Sequence, residues 1–253
     1  MDIPFIVSAI IVGIPAFVIV FHALRNYDYP VVEESLFDFQ KVFFTLIIGF
    51  VFGTVANILR LSLSPELDPV WILFLSLMGM AVVEESFKTI FLNMKRFSLK
   101  FDTTFYGLSL SIGIAAAMAF FDNYVTLRFT DPVHDALTLF SLSLLSIGII
   151  ALHASTGSVI GYGASKGDVF PSLLQAIVYR SLYVLLILPF ILIPMYPDFI
   201  WLGFAFLIAS ALYALLLYWR AYKLILPVSI PDDLKKKKIR KARRKKLTEN
   251  REK

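Results

Sequence analysis

Cysteine is absent from the chain. That excludes disulfides, thiolate zinc sites and a thiol nucleophile, and it leaves the redox compartment unread. Histidine is scarce, with three in 253 residues, whereas a hydrolytic zinc centre takes three protein ligands, commonly including two or three histidines. Charge is scarce as well: 17% of residues are Asp, Glu, Lys or Arg, against about 25% in an average soluble domain. No internal repeat and no second soluble domain is visible. A cleavable signal peptide is also lacking by pattern. The first apolar run is too long for an h-region, starts without a basic n-region and is followed by no small-x-small site, so it is expected to stay as a signal anchor.

What is present is apolar sequence. Hydrophobic residues make up 58% of the chain and mean hydropathy is +0.76. Apolar runs of about 20 residues, enough to cross a hydrocarbon core of ~30 Å, recur throughout. They predict helices over Ile3–Leu24, Val42–Arg60, Val70–Asn93, Thr103–Leu127, Ala136–Ala164, Phe170–Ile193 and Phe199–Tyr222. The polar connectors carry Pro30, Pro65, Pro69, Pro132 and Pro197. The expected fold is an all-α polytopic membrane bundle of about seven transmembrane helices over residues 1–230, followed by a basic tail over 231–253.

The net charge of +5 conceals an asymmetry. Lys235 to Lys253 holds twelve Lys or Arg and two Glu, leaving twelve basic and seventeen acidic residues elsewhere. Lys and Arg in short loops mark the cytoplasmic side. With the tail cytoplasmic, seven spans put the N-terminus outside. The inner connectors then carry Arg25, Lys41, Lys95, Arg96, Lys100 and Lys166, and the outer ones Glu66, Asp68, Asp131, Asp135 and Asp198, with Arg60 and Arg128 their only basic residues, at helix ends. The location that follows is the cell membrane, as a multi-pass protein. The tail reads as a topology-fixing segment touching anionic lipid headgroups, at about 1 kcal/mol per basic residue. Nucleic acid is not favoured, because no aromatics are interleaved for base stacking.

Few polar groups fall inside the predicted spans: Glu84, Glu85 and Lys88 on the third, Asp122 and Asn123 on the fourth, His153 on the fifth, and Gln175 and Arg180 on the sixth. At 1.5 Å per residue, Glu84, His153 and Arg180 come to one level roughly 15 Å from the inner boundary. Asp122 lies about 5–10 Å beyond it. Small residues on the fourth span (Gly113, Ala115, Ala116, Ala117) and the fifth (Gly157, Gly161, Gly163) allow close helix approach. Ionised groups in mid-membrane are costly and are functional candidates by default.

Two readings follow. In the structural one, Glu84–Lys88 and Glu85–Arg180 are neutralising ion pairs and His153 is a hydrogen-bonded core residue. In the catalytic one, Glu84 or Glu85 deprotonates a water while His153 orients it or protonates the leaving group. Arg180 or the Asn123 amide then stabilises the oxyanion. His22 ends the first span and His134 lies in an outer connector. A divalent metal such as zinc would therefore need Glu84, Glu85, Asp122 and His153 together, and a metal-free glutamate site is the simpler expectation. An intramembrane proton relay of a transporter is a third reading, against which stands the lack of repeats or paired broken helices.

Glu84-Glu85-Ser86-Phe87-Lys88 resembles the first E-E-x-x-K motif of the PrsW family of intramembrane proteases. That family belongs to a wider group with the CAAX-processing and bacteriocin-processing membrane proteases and the APH-1 subunit of γ-secretase. Asp102-x-x-x-Tyr106-Gly107, then Asp122-Asn123, then His153 with its glycine-rich sequel follow in the family's order, over about Met80 to Gly167. The resemblance implies cleavage of a membrane-anchored protein or peptide in or near the bilayer, with catalytic Glu84, Glu85, Asp122 and His153 and supporting Lys88, Asn123 and Arg180. Two positions depart from the pattern. Asp122 stands where the family usually has Glu, and Gln175 to Arg180 occupies the place of a final His motif. A non-catalytic scaffold within the same group is the alternative that these departures imply.

Overall fold

Each of the seven apolar runs is a helix in the computed structural model, which describes residues 2–28, 35–63, 70–129, 136–193 and 196–231. The basic tail from residue 232, the outer acids Glu66, Asp68, Asp131 and Asp135, and His134 lie outside the described residues, as do Pro30, Pro65, Pro69 and Pro132. The helices are α1 (Ile3–Leu24), α2 (Phe39–Leu63), α3 (Val70–Leu92), α4 (Thr103–Phe129), α5 (Ala136–Lys166), α6 (Val169–Ile191), α7 (Ile200–Arg220) and the short α8 (Leu226–Ser229). No strand occurs among the described residues. Among the described residues, seven helices are long and apolar enough to cross a membrane, the last as a continuous stretch Pro197–Ser229.

Two ends differ from the sequence reading for identifiable reasons. α2 begins three residues early because Asp38 caps it: its Oδ1 accepts the Gln40 N–H at 2.9 Å and the Lys41 N–H at 3.4 Å, which satisfies donors that an uncapped helix start leaves open. The last span does not stop at Tyr222. A wide π-helical turn over Ala221–Ile225 absorbs the break, and the apolar residues beyond it continue into α8. Pro227 falls in the first turn of α8, just past the π-helical turn.

α4 is the axis of the bundle. Its most apolar 18-residue window is 83% buried, against 17% for those of α1 and α3. It packs most extensively on α2 and α5, and α1 also lies against it. Glycine makes these approaches possible. A Cβ at Gly113 would strike the Leu46 carbonyl of α2, one at Gly49 the Leu110 carbonyl of α4, and one at Gly157 the Ser111 side chain and the Gly107 carbonyl. Backbone contact of this kind substitutes for hydrophobic drive where lipid is as apolar as leucine. The expected small-residue faces of α4 and α5 are therefore real contacts. The Gly49/Gly53 pair on α2 is their unanticipated counterpart. α3 is held differently. It rests on α6 and α5, and on α2 through stacked Phe52 and Phe87 rings with centroids 3.6 Å apart.

Candidate functional site

Buried polar side chains join α3 to α5 and α6. Glu84, Glu85, Lys88, His153 and Thr156 are fully buried and Arg180 is 7% exposed. Glu84 lies eight residues from the C-terminal end of α3, His153 thirteen from that of α5, and Arg180 eleven from the N-terminal end of α6. At 1.5 Å per residue these are depths of roughly 12, 20 and 17 Å from one face. Three helices thus bring an acid, an imidazole and a guanidinium to the middle of the bundle.

The pairing exchanges the partners expected from sequence. Glu84 accepts a hydrogen bond from Arg180 Nη2 at 2.6 Å, not from Lys88. Glu85 accepts from Lys88 Nζ at 2.7 Å, not from Arg180. Both i,i+3 and i,i+4 partners share a helix face, so spacing alone does not choose between the two acids. The neighbours decide. The Lys88 ammonium also donates to Thr156 Oγ1 on α5 at 3.0 Å, and that hydroxyl lies 3.3 Å from Glu85 Oε1, so Glu85 and Lys88 turn toward α5 together. Glu84, one residue earlier, is left for α6.

His153 completes the group. Its Nε2 lies 3.5 Å from Glu84 Oε2, the oxygen that Arg180 holds. Glu84 Oε1, Glu85 Oε2, both His153 ring nitrogens and Arg180 Nε are buried without a hydrogen-bond partner. Buried polar atoms are nearly always satisfied by protein or water. These atoms are hydrogen-bonding capacity that the group leaves unspent.

Asp122 and Asn123 are not part of that group. Asp122 forms an ion pair with Arg60 near the ends of α4 and α2, with both side chains partly exposed. The Asn123 amide donates to Ser146 Oγ at 2.9 Å. Ser146 is seven residues before His153 on α5, about 10 Å away along the axis. Arg60, singled out only as a basic residue at a helix end, fixes Asp122 because α2 and α4 run side by side in the same direction. The metal set of Glu84, Glu85, Asp122 and His153 is accordingly not assembled: no cluster of three or more His, Cys, Asp or Glu with metal-ligand geometry occurs among the described residues. Thr156 went unnoticed in the sequence. Its signal was its position three residues after His153, one turn along the same face of α5.

No family model, curated protein or solved structure matches the chain.

Proposed function

We propose that the chain is an intramembrane peptidase of the PrsW type, a multi-pass protein of the cell membrane with its N-terminus outside, which hydrolyses a peptide bond of a membrane-anchored protein or peptide. The observation that carries this reading is the fully buried Glu84 carboxylate, 2.6 Å from Arg180 and 3.5 Å from the His153 imidazole, with one oxygen and both ring nitrogens unpartnered. Glu84 takes a proton from water as the water attacks the scissile carbonyl. Glu84 passes that proton through His153 Nε2, 3.5 Å from its Oε2, to the leaving amine as the C–N bond breaks. In this reading Arg180, rather than Asn123, which is committed to Ser146 at another level, faces the oxyanion. Glu85, Lys88 and Thr156 hold α3 against α5 and fix the direction of Glu84.

A second reading rests on a specific observation. Both acids are ion-paired and no side chain of the group is more than 8% exposed, which suits a scaffold whose charges lock α3 to α5 and α6. The two readings separate with Glu84→Gln and His153→Ala, each assayed for thermal stability and for cleavage of membrane-anchored reporter peptides in detergent. A peptidase loses cleavage in both variants while His153→Ala keeps its melting temperature. A scaffold shows no cleavage in the parent and a large stability loss in both.

A further inference from the structure

Glu84, Glu85 and His153 have no exposed surface. A peptide bond reaches them only after something in the bundle moves. α3 meets four helices, α6, α5, α4 and α2, and these seams differ in kind. Parting α3 from α6 separates Glu84 from Arg180, and parting it from α5 separates Lys88 from Thr156. Either movement strands buried polar groups. The α4 seam lies inside the bundle, because α4 is its buried axis. The α2 seam is the smallest of the four. It is closed by an aromatic stack, Phe52 of α2 on Phe87 of α3, with centroids 3.6 Å apart and ring planes within 3°.

That stack stands next to the acid. Glu84, Phe87 and Phe91 are spaced i, i+3 and i+7 and share one face of α3. Phe87 is therefore one turn from Glu84 on the side that Phe52 covers. Both rings are half-buried. Outside them, Val51 and Val55 of α2 and Val83 and Ile90 of α3 are between 49% and 70% exposed, so both lips of the seam are aliphatic. α2 itself is fixed. A Cβ at Gly49 would strike the Leu110 carbonyl of α4, and one at Gly53 the Ile114 carbonyl. Turning the two rings is thus the smallest change that opens this side of α3, and it breaks no hydrogen bond or ion pair.

We propose that the Phe52–Phe87 stack is a lateral entrance to the Glu84 group, which admits an apolar, membrane-embedded peptide segment through the α2–α3 seam. This rests on the peptidase reading and gives it a substrate class: a segment arriving from among the lipids, past valine and isoleucine, and not a water-borne peptide. Phe52 and Phe87 set specificity, since how far two rings turn limits what passes.

The cysteine-free chain allows the seam to be tied. Phe52→Cys/Phe87→Cys is crosslinked in liposomes with a short bis-thiosulfonate reagent. Cleavage of a membrane-anchored reporter peptide is followed before crosslinking, after it, and after reduction. The tied protein should cleave about tenfold more slowly, with the rate restored by reduction. Phe190→Cys/Phe204→Cys ties a different interhelical ring contact, on α6 and α7, with centroids 5.8 Å apart. Tying it should leave the rate unchanged, which distinguishes a closed entrance from a stiffened bundle. Phe52→Leu keeps apolar bulk without the stack and should raise kcat/KM about threefold. The reporter stripped of its apolar segment should be cleaved about tenfold more slowly by the parent. No cleavage of the anchored reporter by the parent overturns the peptidase reading, and the entrance with it. An active parent overturns the entrance alone if the tied seam cleaves as fast as the untied one, if the α6–α7 tie slows cleavage equally, or if the untied variant is folded but inactive. Equal cleavage of the stripped reporter overturns the substrate class.

Discussion

At the residue scale, the described residues include two buried ion pairs whose partners are not interchangeable. Removing one member of such a pair strands its counter-charge, at about 3–5 kcal/mol. Arg180→Met and Lys88→Met should each destabilise the protein by that amount in thermal or denaturant melts. The double variant Glu84→Gln/Arg180→Gln should recover most of the loss, because no charge is then left buried alone. Thr156→Val removes a hydroxyl that touches both Lys88 and Glu85 and should cost about 1–3 kcal/mol, with Thr156→Ser nearly neutral in the same melt. The candidate residues themselves were legible in the sequence as ionisable groups inside apolar runs. Their pairing was not. Glu84 and Glu85 both lie within reach of Lys88 along the helix, and only the presence of Thr156 on α5 and Arg180 on α6 separates them. Asp122 illustrates the converse: its depth, read by counting residues, already set it apart from the others, and Arg60 supplies the reason.

At the element scale, the bundle depends on close backbone approach around α4. Gly113→Leu or Gly157→Val places side-chain atoms into a neighbouring helix's carbonyl or a buried serine. Either should sharply lower the folded fraction recovered in detergent, as read by size-exclusion profile and melting temperature. Gly13 and Gly79 provide the contrast. A Cβ at either meets nothing within 4 Å, so Gly13→Ala and Gly79→Ala should be neutral or stabilising by roughly 0.5–1 kcal/mol, the helix-interior cost of glycine. Helix existence was plain from run length, and the starts of α1, α3, α4 and α5 were readable because polar or proline residues abut the apolar runs. The start of α2 was hidden because Asp38 acts as a cap only once the chain has turned there. The end of the last span was hidden because a π-helical turn carries the chain past Tyr222 and Lys223.

At the scale of the whole molecule, an odd number of crossings puts the two ends of the described chain on opposite faces. Asp2 touches Tyr124 near the end of α4, whereas Lys95 is exposed beyond the other end of α3. The cysteine-free background permits single reporter cysteines. On intact cells, an impermeant thiol reagent should label Asp2→Cys directly and Lys95→Cys only after lysis. The reverse pattern would invert the orientation. The charge distribution across connectors is what leads to the expected orientation, and the labelling tests it. Whether the central charges perform chemistry is a property of the assembled site, where ion pairing and closure meet unpartnered polar atoms.

That question has a direct measurement. Purified protein is incubated with a pool of membrane-anchored reporter peptides in heavy-oxygen water, and new carboxyl termini are sought by mass spectrometry. The parent should generate termini carrying the heavy oxygen, and Glu84→Gln, folded by its melting curve, should generate none. Labelled termini formed equally by Glu84→Gln, or none formed by the parent, would contradict a hydrolytic role for the Glu84–His153–Arg180 group.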